Sequence, residues 1–278
     1  MRARIREKIL LAFLSVFFFY SACGADAFDR KVQEPSAKLS SIDSEAMSGD
    51  PERIRGAIDA YKNWPNYKVD PELQWRLLRA YANYHSELYA KSHSELEERE
   101  ERDPGEQKWA AETGYKFAVE CDAAQSDKAE IVYYYASIGM RYASFHRIEA
   151  LFLGRGLLKS FEKARELNPD IDDAGPDRNL GAIYFKLPWP LGDKKKALQH
   201  FKEAVKIAPH RAANRLWLAK ALAEEGLYDE GWQHIQFIRA GKFDVSSQQW
   251  HAIYMRSVEE VAKKFPQNKN SVSTQKSK

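Results

Sequence analysis

Cysteine is nearly missing: Cys23 and Cys121 are the only two in 278 residues, which excludes a disulfide framework. Glycine and proline are scarce at 14 and 11, together about 9% of the chain against an average near 12%. A collagen-like repeat is therefore ruled out, and a turn-rich β protein is disfavoured. No charge dominates, with 43 Lys and Arg facing 40 Asp and Glu. No apolar–polar alternation of period two is sustained over strand length. Only one long apolar run occurs, at residues 9–20, so the chain is not a polytopic membrane protein. What is present is 44% hydrophobic and 13% aromatic residues. That is too apolar for disorder throughout and sufficient for one long domain or two short ones.

Residues 1–22 read as a signal peptide. Arg2, Arg4, Arg6 and Lys8 precede an apolar stretch of twelve residues broken only by Ser15. As a helix that stretch rises only about 18 Å, short of the roughly 30 Å of hydrocarbon in a bilayer. Ser21, Ala22, Cys23 and Gly24 follow, and this run resembles a bacterial lipobox, whose cysteine becomes the lipidated first residue of the mature chain. Tyr20 stands where Leu is usual. A plain cleaved leader and an uncleaved anchor are the alternatives. The leader takes four of the 43 basic and one of the 40 acidic residues, which leaves 39 of each. A nucleic-acid binder keeps a basic surplus on its folded part, so nucleic acid is not an expected partner. Residues 23–50 read as a flexible tether and residues 266–278 as a solvated tail.

Residues 51–265 carry a repeat. Leu180, Gly181 and Tyr184 are followed by Ala197, Phe201, Ala204 and Pro209. Upstream, Ile138, Gly139 and Tyr142 precede Leu157, Phe161, Ala164 and Pro169 at the same internal spacings. Leu218, Ala219 and Leu222 lead to Gly231 and Ile235, while Trp75 and Leu78 precede Gly114, Ala118 and Cys121. A half repeat around Ala57 and Tyr61 opens the array. Large–small–aromatic on a first helix and small–aromatic–small on a second are the marks of a tetratricopeptide repeat. The small residues let the two helices approach, and the proline stops the second one. The expected fold is all-α: a tetratricopeptide-repeat α-solenoid of about four to five helix pairs. A C-terminal capping helix carries Trp250, Tyr254, Val258, Val261 and Phe265 on one stripe.

The segment Asp70-Pro71-Glu72-Leu73-Gln74-Trp75-Arg76-Leu77-Leu78-Arg79-Ala80 and the order of elements after it resemble the regulator of microtubule dynamics family. The stretch from Asn168 to Pro176 and the loop at residues 187–193 are more similar to bacterial tetratricopeptide lipoproteins, including the T component of TRAP transporters. Both resemblances imply a repeat fold that binds without catalysing. The first implies microtubules and organelle membranes, the second the cell envelope. With the leader and Cys23, the envelope, on the periplasmic side and lipid-anchored, is the expected location.

Motifs for chemistry are absent from the sequence. The seven histidines, His85, His93, His146, His200, His210, His234 and His251, show no i, i+4 pair of the kind that builds a zinc protease site. There is no Gly-x-Ser-x-Gly, no phosphate-cradling glycine loop and no Cys-x-x-Cys. No enzyme, cofactor or metal is expected. Function is expected on the concave surface of the first helices, which the repeat template lines with Tyr133, Ala136, Met140 and Ala143, then Arg178, Ala182 and Phe185, then Leu216 and Lys220. Such a groove, mainly apolar with two basic residues, suits an amphipathic segment of a protein partner or a lipid-like ligand. Trp189, in a loop stiffened by Pro188 and Pro190, either packs on its own repeat or joins the partner surface. The reading that follows is a membrane-tethered scaffold. A carrier of a small apolar molecule is the alternative, and an intracellular cytoskeletal or membrane-contact adaptor the third.

Overall fold

The computed structural model describes residues 37–94, 105–187, 192–241, 243–245 and 247–265. The leader, Cys23, residues 95–103, Trp189 and the tail lie outside the described residues. Those described are all-α: eleven helices and a 3-10 turn, with one isolated bridge between Arg211 and Asp244. In chain order they are α1 (Ala37–Ala46), α2 (Pro51–Lys62), α3 (Pro71–Ser94), α4 (Gly105–Glu120), the 3-10 turn (Ala123–Gln125), α5 (Ala129–Phe145), α6 (Arg147–Leu167), α7 (Ile171–Lys186), α8 (Lys194–Ile207), α9 (Ala212–Glu224), α10 (Tyr228–Arg239) and α11 (Gln248–Ala262). None of these helices is long and apolar enough to cross a membrane.

Local chemistry explains many of the boundaries. Asp50 caps α2, accepting from the amides of Glu52 at 2.9 Å and Arg53 at 3.4 Å, with Pro51 in the first turn where its missing N–H costs nothing. Ile54, Ala57, Ile58 and Tyr61 then fall on one buried face. Asp193 caps α8 through the amides of Lys195 and Lys196, both at 3.1 Å, and Ala197, Phe201 and Ala204 form its buried face.

Consecutive helices pack in pairs, α3 with α4, α5 with α6, α7 with α8 and α9 with α10. The contacts run where the small residues predict. A Cβ on Gly139 would meet the Leu157 side chain at 2.6 Å, and one on Gly181 would meet Phe201 at 2.6 Å. Helices α5 and α7 each therefore receive a large side chain of the partner helix against bare backbone.

Two expectations are corrected. The tether expected over residues 23–50 does not extend through residues 37–46, because α1 is a packed helix with Ala46 fully buried. Its anchor is Asp43, which takes Arg76 at 3.0 Å, Arg79 at 2.7 Å and the Tyr61 hydroxyl at 2.7 Å. Those partners come from α2 and α3, so the short-range pattern of residues 37–46 carries little sign of them. The second correction concerns α11, which does cover an apolar face with Trp250, Tyr254, Val258 and Val261. It does not simply end an array, however. It packs on α9 and also on α3, near the start of the chain. Tyr89 stacks on Trp250 at 6.2 Å, Ser247 donates to Glu87 at 3.0 Å, and Arg256 donates to the His93 carbonyl. The inner helices α3, α5, α7, α9 and α11 thus touch in sequence and close on themselves, with α4, α6, α8 and α10 outside.

Candidate functional site

The ring decides the fate of the expected groove. Tyr133, Ala136, Met140 and Ala143 on α5, Arg178, Ala182 and Phe185 on α7, and Leu216 and Lys220 on α9 are all buried, none more than 9% exposed. They do not line an open trough. Tyr133, Ala136, Met140, Ala143, Ala182 and Phe185 belong to one apolar core, whereas Leu216 joins Trp250 and Tyr254 in another. The physical reason is closure: α11 returns to α3, and inner faces that would meet solvent in an open superhelix meet one another.

Within this interior the structure brings Tyr133 and Arg178 together on a feature that repeat spacing does not contain. The start of α7 holds three consecutive left-handed residues, Asp172 (φ 50°), Asp173 (φ 50°) and Ala174 (φ 63°). Each costs roughly 1–2 kcal/mol outside glycine, so the surroundings must hold the turn in place. The Tyr133 hydroxyl donates to Asp172 Oδ2 at 2.5 Å, and Arg178 Nη2 donates to the same oxygen at 2.7 Å and to the Asp172 carbonyl at 3.0 Å. Arg178 Nη1 reaches the Asp173 carbonyl at 3.0 Å and Asn214 Oδ1 at 2.9 Å. Asn214 in turn donates to the Asp173 carbonyl at 3.0 Å and to Ala204 and Ala208 carbonyls of α8 and its end. Gly175 follows because a Cβ there would fall on the Tyr133 hydroxyl. Pro176 then opens the regular part of α7, where its fixed φ fits a first turn. Asp173 lies 3.7 Å from Arg211 and 3.8 Å from His210. Burial drives its carboxyl above the ordinary aspartate range and outweighs the pull of Arg211.

Two more groups were missed by sequence reasoning. Asp177, 1% exposed, is shared by Arg165 of α6 at 2.9 Å and His200 of α8 at 2.7 Å. Trp217 has the ammonium of Lys220 at 5.0 Å and that of Lys186 at 5.4 Å from its ring centre, within cation–π range. Burial depresses Lys220 to about 7, helped by Lys186 and Lys264, and depresses Lys186 to about 8, helped by Lys194. On α5, Arg141 is buried as well and donates to Ser86 of α3 at 2.9 Å. Arg178 and Lys220 on inner helices, and Arg211 just before α9, are buried too. The one available signal was the composition Asp-Asp-Ala-Gly-Pro at 172–176, which marks a turn. Nothing local marks which cations become internal.

Burial also retunes three further side chains. Burial pushes the Cys121 thiol up to about 11, so it is protonated at neutral pH, and it donates to the Lys68 carbonyl at 3.4 Å. Burial, with Arg141 adding to it, holds His85 well below the usual histidine range. Burial depresses His234 to about 4. The interior of the ring thus combines buried cations with apolar side chains. Compared with known proteins, the chain matches no family model and resembles no curated protein.

Proposed function

We propose that this chain is a non-catalytic, membrane-tethered helical-repeat protein that takes an amphipathic, lipid-like molecule with an anionic group into its closed ring. The observation that carries the reading is the placement of the buried Lys220 ammonium and the half-buried Lys186 ammonium at 5.0 and 5.4 Å from one indole, where desolvation depresses both amines. An anion placed between them would be bound by two charge-assisted contacts in low dielectric, while Phe185 and Trp217 accept an apolar body. A scaffold that lays a protein segment along an open trough needs the exposed inner face that this ring does not present.

The same reading holds the helix pairs to be tetratricopeptide repeats, supported by the glycine contacts at Gly139 and Gly181. It holds Cys23 to be the lipidated residue that keeps the protein at the periplasmic side of a bacterial envelope, supported by the basic–apolar leader. Native mass spectrometry of the full chain purified from its host is the direct test. A retained adduct that is lost in Lys220→Met supports a carried ligand. An adduct-free chain that co-purifies with a defined polypeptide supports the scaffold instead. Mass of the mature N-terminus, in wild type and Cys23→Ser, decides the tether.

A further inference from the structure

The outer helix α6 carries the most exposed apolar patch of the described residues. Ile148 is 73% exposed, Leu151 50% and Phe152 80%. These positions, with Arg155 and Lys159, recur at i, i+3, i+4, i+7 and i+11, so they form one stripe of the helix. Beneath it, Ala150, Leu157, Phe161 and Ala164 are the buried face, and α6 packs chiefly on α5 and α7. Among the described residues Ile148, Leu151 and Phe152 stay exposed to solvent. Residues 147–159 contain Arg147, Arg155 and Lys159 against the single acid Glu149, which leans toward His146 at 3.9 Å. A chain whose charges otherwise balance thus concentrates cations around exposed Ile, Leu and Phe.

From this we infer that the outer face of α6 is a docking surface for an anionic lipid bilayer, with Ile148, Leu151 and Phe152 entering the headgroup layer and Arg147, Arg155 and Lys159 meeting lipid phosphates. The inference rests on the tether reading for proximity. Between Cys23 and Ala37 the covalent reach is at most about 50 Å, while a domain of this size is about 45 Å across. A tether of that reach lets an outer helix such as α6 meet the membrane that holds the lipid. The three apolar side chains stand out from an outer helix, exposed along one stripe, which suits insertion into lipid. A protein hot spot is more often an aromatic seated in a pocket. The cationic rim is complementary to anionic headgroups, each Lys or Arg near such a surface adding to attraction.

Photocrosslinking tests it on the full chain. Phe152 is replaced by p-benzoylphenylalanine, and the chain is mixed with phosphatidylcholine vesicles with or without phosphatidylglycerol. The peptide that carries position 152 is then weighed. A lipid adduct should form with phosphatidylglycerol present and fall about tenfold with the double substitution Arg155→Glu and Lys159→Glu. Both side chains are exposed, so an unchanged melting temperature certifies the fold of that variant. Chains that float with the vesicles yet give no lipid adduct overturn the docking surface while sparing the tether. An adduct joining two copies of the chain overturns it in favour of self-association. Flotation of Cys23→Ser, measured in parallel, reports on the tether alone.

Discussion

Lys220 shows how burial turns one side chain into a liability the fold retains. Its amine is depressed to about 7 by burial, with Lys186 and Lys264 adding repulsion. In the unfolded chain the same amine titrates near 10.4. Between these values the unfolded chain binds a proton that the folded one does not, so stability rises with pH over that window. Below about pH 7 both states are protonated and the penalty is present in full. Lys220→Met should therefore raise the melting temperature at pH 7 and flatten its climb between pH 7 and 10, measured by calorimetry on ligand-free protein. A melting temperature that falls at pH 7 would mean the ammonium is stabilised by its surroundings. The same substitution should lose the carried ligand, which separates loss of function from loss of fold.

At the scale of helices, the pairs depend on residues without side chains. Gly181 sits against Phe201 so closely that a methyl group would lie 2.6 Å from the ring. Gly181→Ala should cost about 1–3 kcal/mol by overpacking, and Phe201→Leu in the same chain should recover part of it. A double-mutant cycle by urea unfolding checks this, additivity of the two costs being the contrary result. This level of the structure was legible beforehand, because small and large residues at helical spacing act within some twenty residues of one another. Helices α5, α6, α8, α9 and α10 stand where the motif residues require. The start of α7 was not legible. Asp172 and Asp173 look like turn or capping residues, and their left-handed backbone is held by Tyr133, Arg178 and Asn214 from three helices.

For the whole molecule, the seam between α3 and α11 is the decisive contact. Tyr89 and Trp250 stack there, and Ala90 shares a core with Ala213, Ile235 and Val258. Trp250→Ala removes a large, fully buried ring, a loss of about 3–5 kcal/mol. Hydrogen exchange should then show the second half of α3 losing protection together with α11, though some 160 residues separate them in sequence. Protection lost in α11 alone would mean that the ring is not cooperative.

Sequence alone determined that the chain is helical, that its helices pair, and which small residues sit between them. Each of those outcomes follows from periodicity and from side-chain size at short separation. Only the tertiary structure decided that the expected groove is an interior, that α1 is anchored through Asp43, and that Arg178, Arg211 and Lys220 are buried charges. The interior depends on α11, the last described helix, returning to α3, and the anchor of α1 on residues 18 to 36 positions away. Contacts at such separations are not encoded by any local pattern.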